Sequence, residues 1–558
     1  SGSSSKRGDA WVAGAAAMTL TLGGAAATVV GATSWLTRAT IRQITHTAEL
    51  IRMSRMALER SGWTLALILS AGSGLVGGMA LPPLGWPPLL WLSLALLWAQ
   101  VNRPWTGLIW GLTALAVSHR WLLALHPLDW IGVPGPLSLP LCLLLLTVIS
   151  SLAGGLVWVW LALARRLDPR RLSTALLLVL LWGLAETLLA RGPLFWLGLG
   201  ASALPADRPL AALAAIGGSG LVAALQLSIG WLLWRLAQGP ARRRWLLWWL
   251  AVVVVSHGSG AAVLASLPLA AVGSATELPA PERVMVLQPA IPTRHKFEPA
   301  QRLLMQRRLD AALELGRRQG AQLLVLPEGA LGLEPHLSAP APLELISGGF
   351  RWHEGAELLE QRSSLLRFAR GEQVPSSWLD KHRLVPLGEW VPLAQLVRWS
   401  GLSAVGGVEP GSGSRLLQRP GGSLAAAICY ELSDGAALAA AVRDGAQWLL
   451  ASANLDPYPA LLQRQFTALA QLRALETGRW LVSAANTGPS QLISARGDVV
   501  SGLPLGRAGT AVFAVPMMQR QTLYDRFGDG PLLVLTLAAA LLRFRRRPSC
   551  IHSCAIQE

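Results

Sequence analysis

The chain has 558 residues, of which 52% are apolar and only 14% are charged, and its formal net charge is +17. Soluble domains usually carry about 25% charged residues, so the composition argues against a wholly soluble protein and indicates a membrane protein with a soluble part. The positive charge lies in short arginine runs between apolar segments. This is a membrane-topology pattern and argues against nucleic-acid binding.

The first 62 residues differ in composition from the rest of the N-terminal half. The stretch "WVAGAAAMTLTLGGAAATVVGATSWL" is rich in Ala, Gly and Thr, whereas the later apolar runs are rich in Leu and Trp. Three interpretations stay open for residues 1–62: a ninth span, a signal-like segment, or sequence upstream of a start at Met53 or Met56. The last of these is favoured.

Residues 63–272 alternate apolar runs with basic connections, and most of the runs reach the roughly 17–25 residues that cross a hydrocarbon core. The second and third runs are short. The runs are 63–81, 87–101, 104–118, 138–164, 173–190, 209–234 and 245–272. We therefore predict a membrane domain of about seven helices over 63–272.

Arginines concentrate in every second connection of this region, as the positive-inside rule requires of cytoplasmic loops. An eighth span is predicted at 531–545, followed by a cytoplasmic tail over 546–558. Residues 273–530 would then face the outside. The arginines concerned are Arg55, Arg60, Arg103, Arg165, Arg166, Arg170, Arg171, Arg235 and Arg242 to Arg244.

From residue 283 the periodicity changes to that of a layered α/β domain. Buried-strand patterns at 283–288, 321–329, 423–431, 446–454, 480–486, 490–500 and 510–516 alternate with helical patterns at 299–320, 434–444 and 459–478. The expected fold is a bundle of about eight membrane helices with an inserted extracytoplasmic α/β domain.

Three reactive side chains lie at strand ends of this domain: Glu328, Lys381 and Cys429. Each has an ordinary explanation by itself, namely a solvated carboxylate, a surface charge and a small buried hydrophobe. Lys381 is nevertheless unusual, because only three of the 48 basic residues are lysines. The other two lysines are Lys6 and Lys296.

Together the three side chains would form a nucleophilic site. A thiol is mostly protonated at neutral pH, so a carboxylate must accept its proton. Attack on a carbonyl then places negative charge on oxygen, which a fixed cation and backbone N–H groups stabilise. A compact ammonium fits beside a thiolate and a carboxylate, whereas a planar guanidinium needs a wider site.

The motifs around these residues resemble a known family. "LPEGA" (326–330), "LDKHRLVPLGEWVP" (379–392) and "AICYE" (427–431) are similar to the Glu–Lys–Cys motifs of the nitrilase (carbon–nitrogen hydrolase) superfamily. Within it, "KHRLVPLGEWVP" and "TLYDRFGD" (522–529) resemble the bacterial apolipoprotein N-acyltransferase family, over about 63–545. The seven helices, the outside domain and the eighth helix follow that family's order.

The resemblance implies a role for each matching residue. Cys429 would be the nucleophile, Glu328 the general base and Lys381 the stabiliser of the tetrahedral intermediate. Supporting residues would be Glu389 on a loop near the site, Tyr430 with its N–H as an oxyanion donor, and Glu431, which would orient Lys381. For Tyr430, simple packing is the alternative.

The resemblance also implies substrate-binding positions. These are Gln288, Phe297, which stands where the family has Trp, and Trp390, on a loop over 387–398 that would form a lid or else pack as part of the domain. One departure is "SANLDPYP" (452–459), where the family reads Ser-Asn-Asp-Ala-Trp-Phe and Tyr458 is only a loose substitute for the Trp. This departure bears on acyl-chain or acceptor preference.

The function implied is acyl transfer from a membrane phospholipid to the N-terminal amine of a diacylglyceryl-modified lipoprotein, through a Cys429 thioester. No metal is expected, since the four cysteines form no Cys-x-x-Cys pair or zinc-ligand set. No cofactor and no nucleic acid are expected either. A monomer is expected. Two alternatives remain: a membrane-tethered amidase with water as acceptor, and a non-catalytic lipid-binding scaffold.

Overall fold

The structure is a computed structural model that describes residues 62–129, 133–239, 241–267, 280–296, 298–354, 359–385, 389 and 408–544. Predictions for the N-terminal extension over 1–61, for Phe297, for Trp390 and the loop around it, and for the tail over 546–558 lie outside these residues.

Apolar helices make up most of the described chain before residue 267. Their bounds are α1 Trp63–Ala80, α2 Pro87–Ala99, α3 Thr106–Ser118, α4 Gly135–Leu167, α5 Leu172–Ala190, α6 Arg208–Ala212, α7 Ala214–Leu236 and α8 Arg242–Ser266. Five helices of the described chain, α1, α4, α5, α7 and α8, are long and apolar enough to cross a membrane. The protein is therefore a multi-pass membrane protein.

Three further apolar helices are shorter than a full span. They are α2, α3 and a C-terminal helix at Gly530–Phe544. The predicted sixth run, 209–234, is divided into α6 and α7, and α7 itself is kinked where Gly217 and Gly218 leave the helical conformation. Gly218 has φ +72°, and the Tyr524 ring fills the space that a β-carbon would need.

Two six-stranded sheets and their covering helices follow. The strands are β1 Glu282–Gln288, β2 Leu323–Val325, β3 Glu344–Glu354, β4 Leu359–Phe368, β5 Ser377–Asp380, β6 Leu416–Leu417, β7 Leu424–Ile428, β8 Trp448–Ala453, β9 Leu481–Ala485, β10 Gln491–Ile493, β11 Val499–Gly502 and β12 Gly509–Val515. The helices are α9 Pro299–Arg318, α10 Gly435–Arg443, α11 Ala460–Thr477, α12 Leu523–Phe527 and α13 Gly530–Phe544.

The strands form two sheets, which differ in strand order and are joined by an arginine. One sheet has the order β12-β1-β2-β3-β4-β5 and the other β11-β10-β9-β8-β7-β6. Helix α9 covers the first sheet through a core that includes Met305, Leu309 and Leu324. Arg419 joins the two sheets, since its guanidinium contacts Glu282 on β1 and Glu344 on β3. The predicted fold class, membrane helices with a nitrilase-like α/β domain, is confirmed.

Two parts of this domain differ from the sequence-based expectation. No element was predicted over 335–378, yet β3, β4 and β5 form an antiparallel meander there. The burial of β3 changes from a buried first half to a partly exposed second half, so no single period marks it. The predicted strand 490–500 is a hairpin, because the chain turns at Gly497 with φ +73°.

The α/β domain packs against one set of helix ends. Gln465 donates to the backbone oxygens of Pro82 and Ser118, which follow and end α1 and α3, respectively. Arg496 donates to backbone oxygens at the end of α8, and Glu476 accepts from the N–H of Ser219 in the kink of α7. The contacts fix the helices and the α/β domain as one body on this side.

Candidate active site

Cys429 follows β7 directly and begins a 3-10 helix that runs to Ser433. Its backbone φ is +54°, a left-handed conformation that costs free energy for a residue with a side chain. Strain of this kind is held by the surrounding structure and occurs at sharp strand-to-helix turns that present a nucleophile. The thiol is buried, with 5% of the residue exposed.

Lys381 follows β5, and its ammonium lies between two carboxylates. Nζ donates to Glu328 Oε1 at 2.6 Å and to Glu389 Oε1 at 2.8 Å. The residue is fully buried. Burial alone would lower the pKa of Lys381, but the charges of Glu328, Glu389 and Cys429 outweigh it and raise this pKa well above its usual value. The ammonium is therefore a permanent cation of the site.

Glu328 lies in the loop after β2 and connects the other members of the site. Its Oε1 binds the Lys381 ammonium, and its Oε2 accepts from the backbone N–H of Asn454 at 2.9 Å. The carboxylate lies close enough to the Cys429 thiol for its charge to raise the pKa of that thiol. Two fixed donors orient the carboxylate, so one residue is placed to accept the thiol proton.

The charge balance keeps the resting thiol protonated. Burial raises the pKa of Cys429 well above its usual value, and the Glu328 carboxylate adds to this more than the Lys381 ammonium opposes it. Burial likewise raises the pKa of Glu389, with Glu328 adding to the shift and Lys381 opposing it. Burial and the neighbouring carboxylates therefore favour the protonated form of the Cys429 thiol.

Glu431 belongs to a separate cluster behind the site. Its Oε1 accepts from the backbone N–H of His382 at 2.7 Å, and its Oε2 accepts from Arg415 and from the N–H of Ile428, both at 2.9 Å. The predicted role of Glu431 in orienting Lys381 is corrected in its detail. The carboxylate holds the backbone next to Lys381 and makes no hydrogen bond to the ammonium.

Tyr430 takes part in aromatic packing, and its role as an oxyanion donor stays a prediction. It lies in the first turn of the 3-10 helix, where backbone N–H groups have no partner within the helix, so its N–H is available beside Cys429. Its ring packs on Phe195, 5.5 Å between centroids, in the segment after α5. Tyr458 lies near Tyr430, and the Tyr458 ring contacts Trp121 with 5.5 Å between centroids.

These aromatic contacts place segments of the membrane domain close to Cys429. Phe195 and Trp121 come from segments that connect membrane helices, whereas Tyr430 and Tyr458 come from the α/β domain. Arg383 strengthens the junction, donating to Ser433 Oγ at 3.0 Å and to the backbone oxygen of Gly192. The wall next to Cys429 is thus shared by the two parts of the protein.

Gln288 lies at the end of β1, and its side chain is fully buried. Its amide nitrogen donates to the backbone oxygens of Pro504 and Arg507, both at 2.8 Å, and so fixes the loop before β12. The substrate-binding role of Gln288 stays a prediction. Within the described residues, no group of three or more His, Cys, Asp and Glu side chains is arranged to hold a metal.

The sequence analysis did not assign Lys296 or Asn454 to the site. Lys296 lines a cavity of about 380 Å³ between α9 and the loop after Glu328. Burial lowers the pKa of Lys296, while the Glu328 carboxylate opposes this shift. The rarity of lysine was a signal for Lys296 as much as for Lys381. Asn454 contributes its backbone N–H to the site, and the residue type at a position does not indicate such a contact.

Part of the α/β domain is similar to a known protein family. Residues 363–524 match the carbon–nitrogen hydrolase family. Among solved structures, an amidase of the nitrilase superfamily from Nesterenkonia has 18% identity, covering 43% of this chain and 93% of that chain with a TM-score of 0.31. Nit3 of Saccharomyces cerevisiae has 16% identity, covering 44% and 93% of the two chains with a TM-score of 0.33.

Longer relatives cover the membrane helices as well. The apolipoprotein N-acyltransferase of Prochlorococcus marinus is 48% identical over 493 residues, which are 86% of this chain and 96% of that protein. The one from Parasynechococcus marenigrum is 46% identical over 466 residues, 82% of this chain and 97% of that protein. This chain therefore belongs to the apolipoprotein N-acyltransferase family of membrane-bound acyltransferases.

Proposed function

We propose that the protein transfers a fatty acyl group from a membrane phospholipid to the N-terminal amine of a diacylglyceryl-cysteine on a lipoprotein. The observation that carries the proposal is the position of Cys429, which lies between a carboxylate–ammonium pair and an aromatic wall from the membrane helices. The pair suits acyl chemistry. The wall suits substrates that remain anchored in lipid.

The first step is formation of a thioester. Glu328 takes the proton of the Cys429 thiol as the sulfur attacks the ester carbonyl carbon of the phospholipid. The negative charge on the carbonyl oxygen is stabilised by the Lys381 ammonium and the N–H of Tyr430. The intermediate collapses with cleavage of the carbon–oxygen bond, Glu328 returns the proton to the leaving oxygen, and a lysophospholipid departs.

The second step regenerates the thiol. The α-amine of the diacylglyceryl-cysteine attacks the thioester carbon, and the same two donors stabilise the oxyanion. The carbon–sulfur bond breaks as the amide forms. Glu328 takes a proton from the attacking nitrogen and delivers it to the sulfur, so each bond formed is matched by one broken and the enzyme returns to its initial state.

The placement of the α/β domain on the outside of a bacterial inner membrane is part of the proposal. The helix ends remote from this domain carry Arg103, Arg165, Arg170 and Arg235, which the positive-inside rule assigns to the cytoplasm. The diacylglyceryl-cysteine acceptor would then be met on the outer side, where the nucleophile lies.

Intact-mass spectrometry of the purified protein, incubated with phospholipid, tests the chemistry. We expect a mass gain of one fatty acyl group that is absent in Cys429→Ala, present in Cys142→Ala, and discharged by a diacylglyceryl-cysteine peptide. An adduct discharged equally fast by water alone would indicate an amidase-like hydrolase. A protein that never forms an adduct would contradict the proposal and leave a lipid-binding scaffold.

A further inference from the structure

A second cavity lies at the membrane-helix ends that face away from the α/β domain. It has a volume of about 310 Å³ and is bordered by residues 99–103, where α2 ends, by Arg165 and residues 168–170, where α4 ends, and by Trp234 and Gln238 near the end of α7. The α/β domain contacts the opposite ends, at Pro82 and Ser118 among others. The cavity is therefore separate from the Cys429 site.

The wall of this cavity is basic. Arg103, Arg165 and Arg170 provide three guanidinium groups against the single carboxylate of Asp168. Side-chain amides complete the polar lining, and they come from Gln100, Asn102 and Gln238. An excess of guanidinium groups within one cavity favours a ligand that carries net negative charge, and arginine is the residue best suited to phosphate.

Two polar atoms in the wall have no hydrogen-bond partner among the described residues. They are the indole Nε1 of Trp234, a donor, and the Oε1 of Gln100, an acceptor. Both residues are 98% buried. The other end of the Gln100 amide is fixed, because Nε2 donates to the backbone oxygen of Leu96 at 3.1 Å. Buried polar atoms are nearly always paired, so a ligand that offers an acceptor to the Trp234 indole and a donor to Gln100 Oε1 would satisfy both atoms.

The surroundings place the cavity at the level of lipid headgroups. The guanidinium of Arg235 lies over the rings of Trp231, Trp234 and Trp245, with a distance of 4.6 Å to the Trp245 centroid. Tryptophan and arginine together at helix ends mark the membrane–water interface. A phosphate that reaches this cavity is therefore most readily supplied by a lipid of the adjacent leaflet.

We propose that this cavity binds the headgroup of an anionic glycerophospholipid. The phosphate lies against Arg165 and Arg170 and accepts from the Trp234 indole, while hydroxyl groups of the headgroup donate to Gln100 Oε1 and Asp168. Basic pockets between membrane helices recognise anionic headgroups in this way. The site is distinct from that of the acyl donor, and the proposal does not rest on the proposed acyl transfer.

Native mass spectrometry of the full-length protein in detergent tests the site. The probes are phosphatidylglycerol and phosphatidylcholine with identical acyl chains. We expect Arg165→Gln/Arg170→Gln to weaken phosphatidylglycerol binding on the order of 10- to 30-fold, given the usual contribution of each interfacial arginine. The matched control is Arg166→Gln/Arg243→Gln, which removes the same charge from exposed positions outside the cavity and should bind as the wild type does.

A second variant probes the wall without changing its charge. Trp234→Phe keeps a ring but removes the indole donor, and we expect several-fold weaker binding of phosphatidylglycerol. Equal binding by the cavity variants and the control would overturn the proposal, as would equally tight binding of phosphatidylcholine. Complete displacement of the lipid by millimolar inorganic phosphate would indicate a site for free anions and overturn the lipid assignment.

Discussion

Buried carboxylates lie on both sides of the segment that carries Lys381. The two sides differ in the number of cations and N–H donors available to each carboxylate. On the substrate side, Glu328 and Glu389 share the one ammonium. Behind the segment, the single carboxylate of Glu431 accepts from Arg415 and from several N–H groups. A shared cation leaves a carboxylate able to take a proton, whereas a surplus of donors keeps a carboxylate ionised.

The pKa values follow this difference. Burial raises the pKa of Glu389, and the cation it shares does not compensate. Burial acts on Glu431 in the same direction, but the hydrogen bond from His382 and the charge of Arg415 outweigh it and lower its pKa to about 2. The substrate side is suited to proton transfer and the other side to holding the backbone in place.

The largest effect is expected from Glu328→Gln. A glutamine keeps the shape of the side chain and one acceptor oxygen for the donors Lys381 Nζ and Asn454 N–H, but it cannot accept the thiol proton. Acyl-enzyme formation should therefore fall roughly 10²- to 10⁴-fold. The initial rate of acyl gain at Cys429, followed by intact mass, measures this. Glu298→Gln, an exposed neighbour on the same side of the domain, is the matched control. An unchanged rate in Glu328→Gln would assign the base elsewhere.

The second-largest effect is expected from Lys381→Arg, which should lower the rate of acyl-enzyme formation on the order of 10²- to 10³-fold in the same assay. The charge is retained, but a planar guanidinium does not fit a fully buried space between carboxylates at 2.6 and 2.8 Å. Alkylation by iodoacetamide, in a background where Cys142, Cys550 and Cys554 are replaced by Ala so that Cys429 is the one remaining thiol, separates loss of the oxyanion donor from loss of thiol access. Retained activity would mean that charge alone is required.

Glu431→Gln should act on stability and not on proton transfer. Because folding lowers the pKa of Glu431 from 4.5 to about 2, its ionised form stabilises the protein by about 3 kcal/mol above pH 5, and this is lost as the pH falls towards 2. Unfolding followed by tryptophan fluorescence from pH 7 to pH 3 should show a difference between wild type and variant that shrinks on acidification. Glu409→Gln, an exposed acid, should change little, and a difference independent of pH would contradict this account.

The smallest effect is expected from Lys296→Gln. The Lys296 charge interacts with Glu328, so Lys296→Gln weakens the positive field at this carboxylate while the Lys381 ammonium remains. The initial rate of acyl-enzyme formation should change by only several-fold. Lys296→Arg retains the charge and should keep the wild-type rate. An equal change in both variants would show that Lys296 acts through packing.

The sequence by itself determined the apolar helices and two of the reactive strand ends. A run such as Leu172–Ala190 is apolar except for Glu186 and a few hydroxyl residues, and recognising it requires no knowledge of its neighbours. Glu328 and Cys429 follow strands that are buried throughout, "LLV" and "LAAAI", and local periodicity is enough to find these. Motif resemblance then connected them with Lys381.

Only the tertiary structure decided which groups meet. The meander of β3, β4 and β5 carries Lys381 to the other strand ends, and its strands have no simple period because their faces change surroundings along their length. The amide of Gln288 binds a loop more than two hundred residues away. Phe195 reaches Tyr430 only because the α/β domain docks on the membrane helices. Such contacts depend on the pairing of distant segments, which no local pattern specifies.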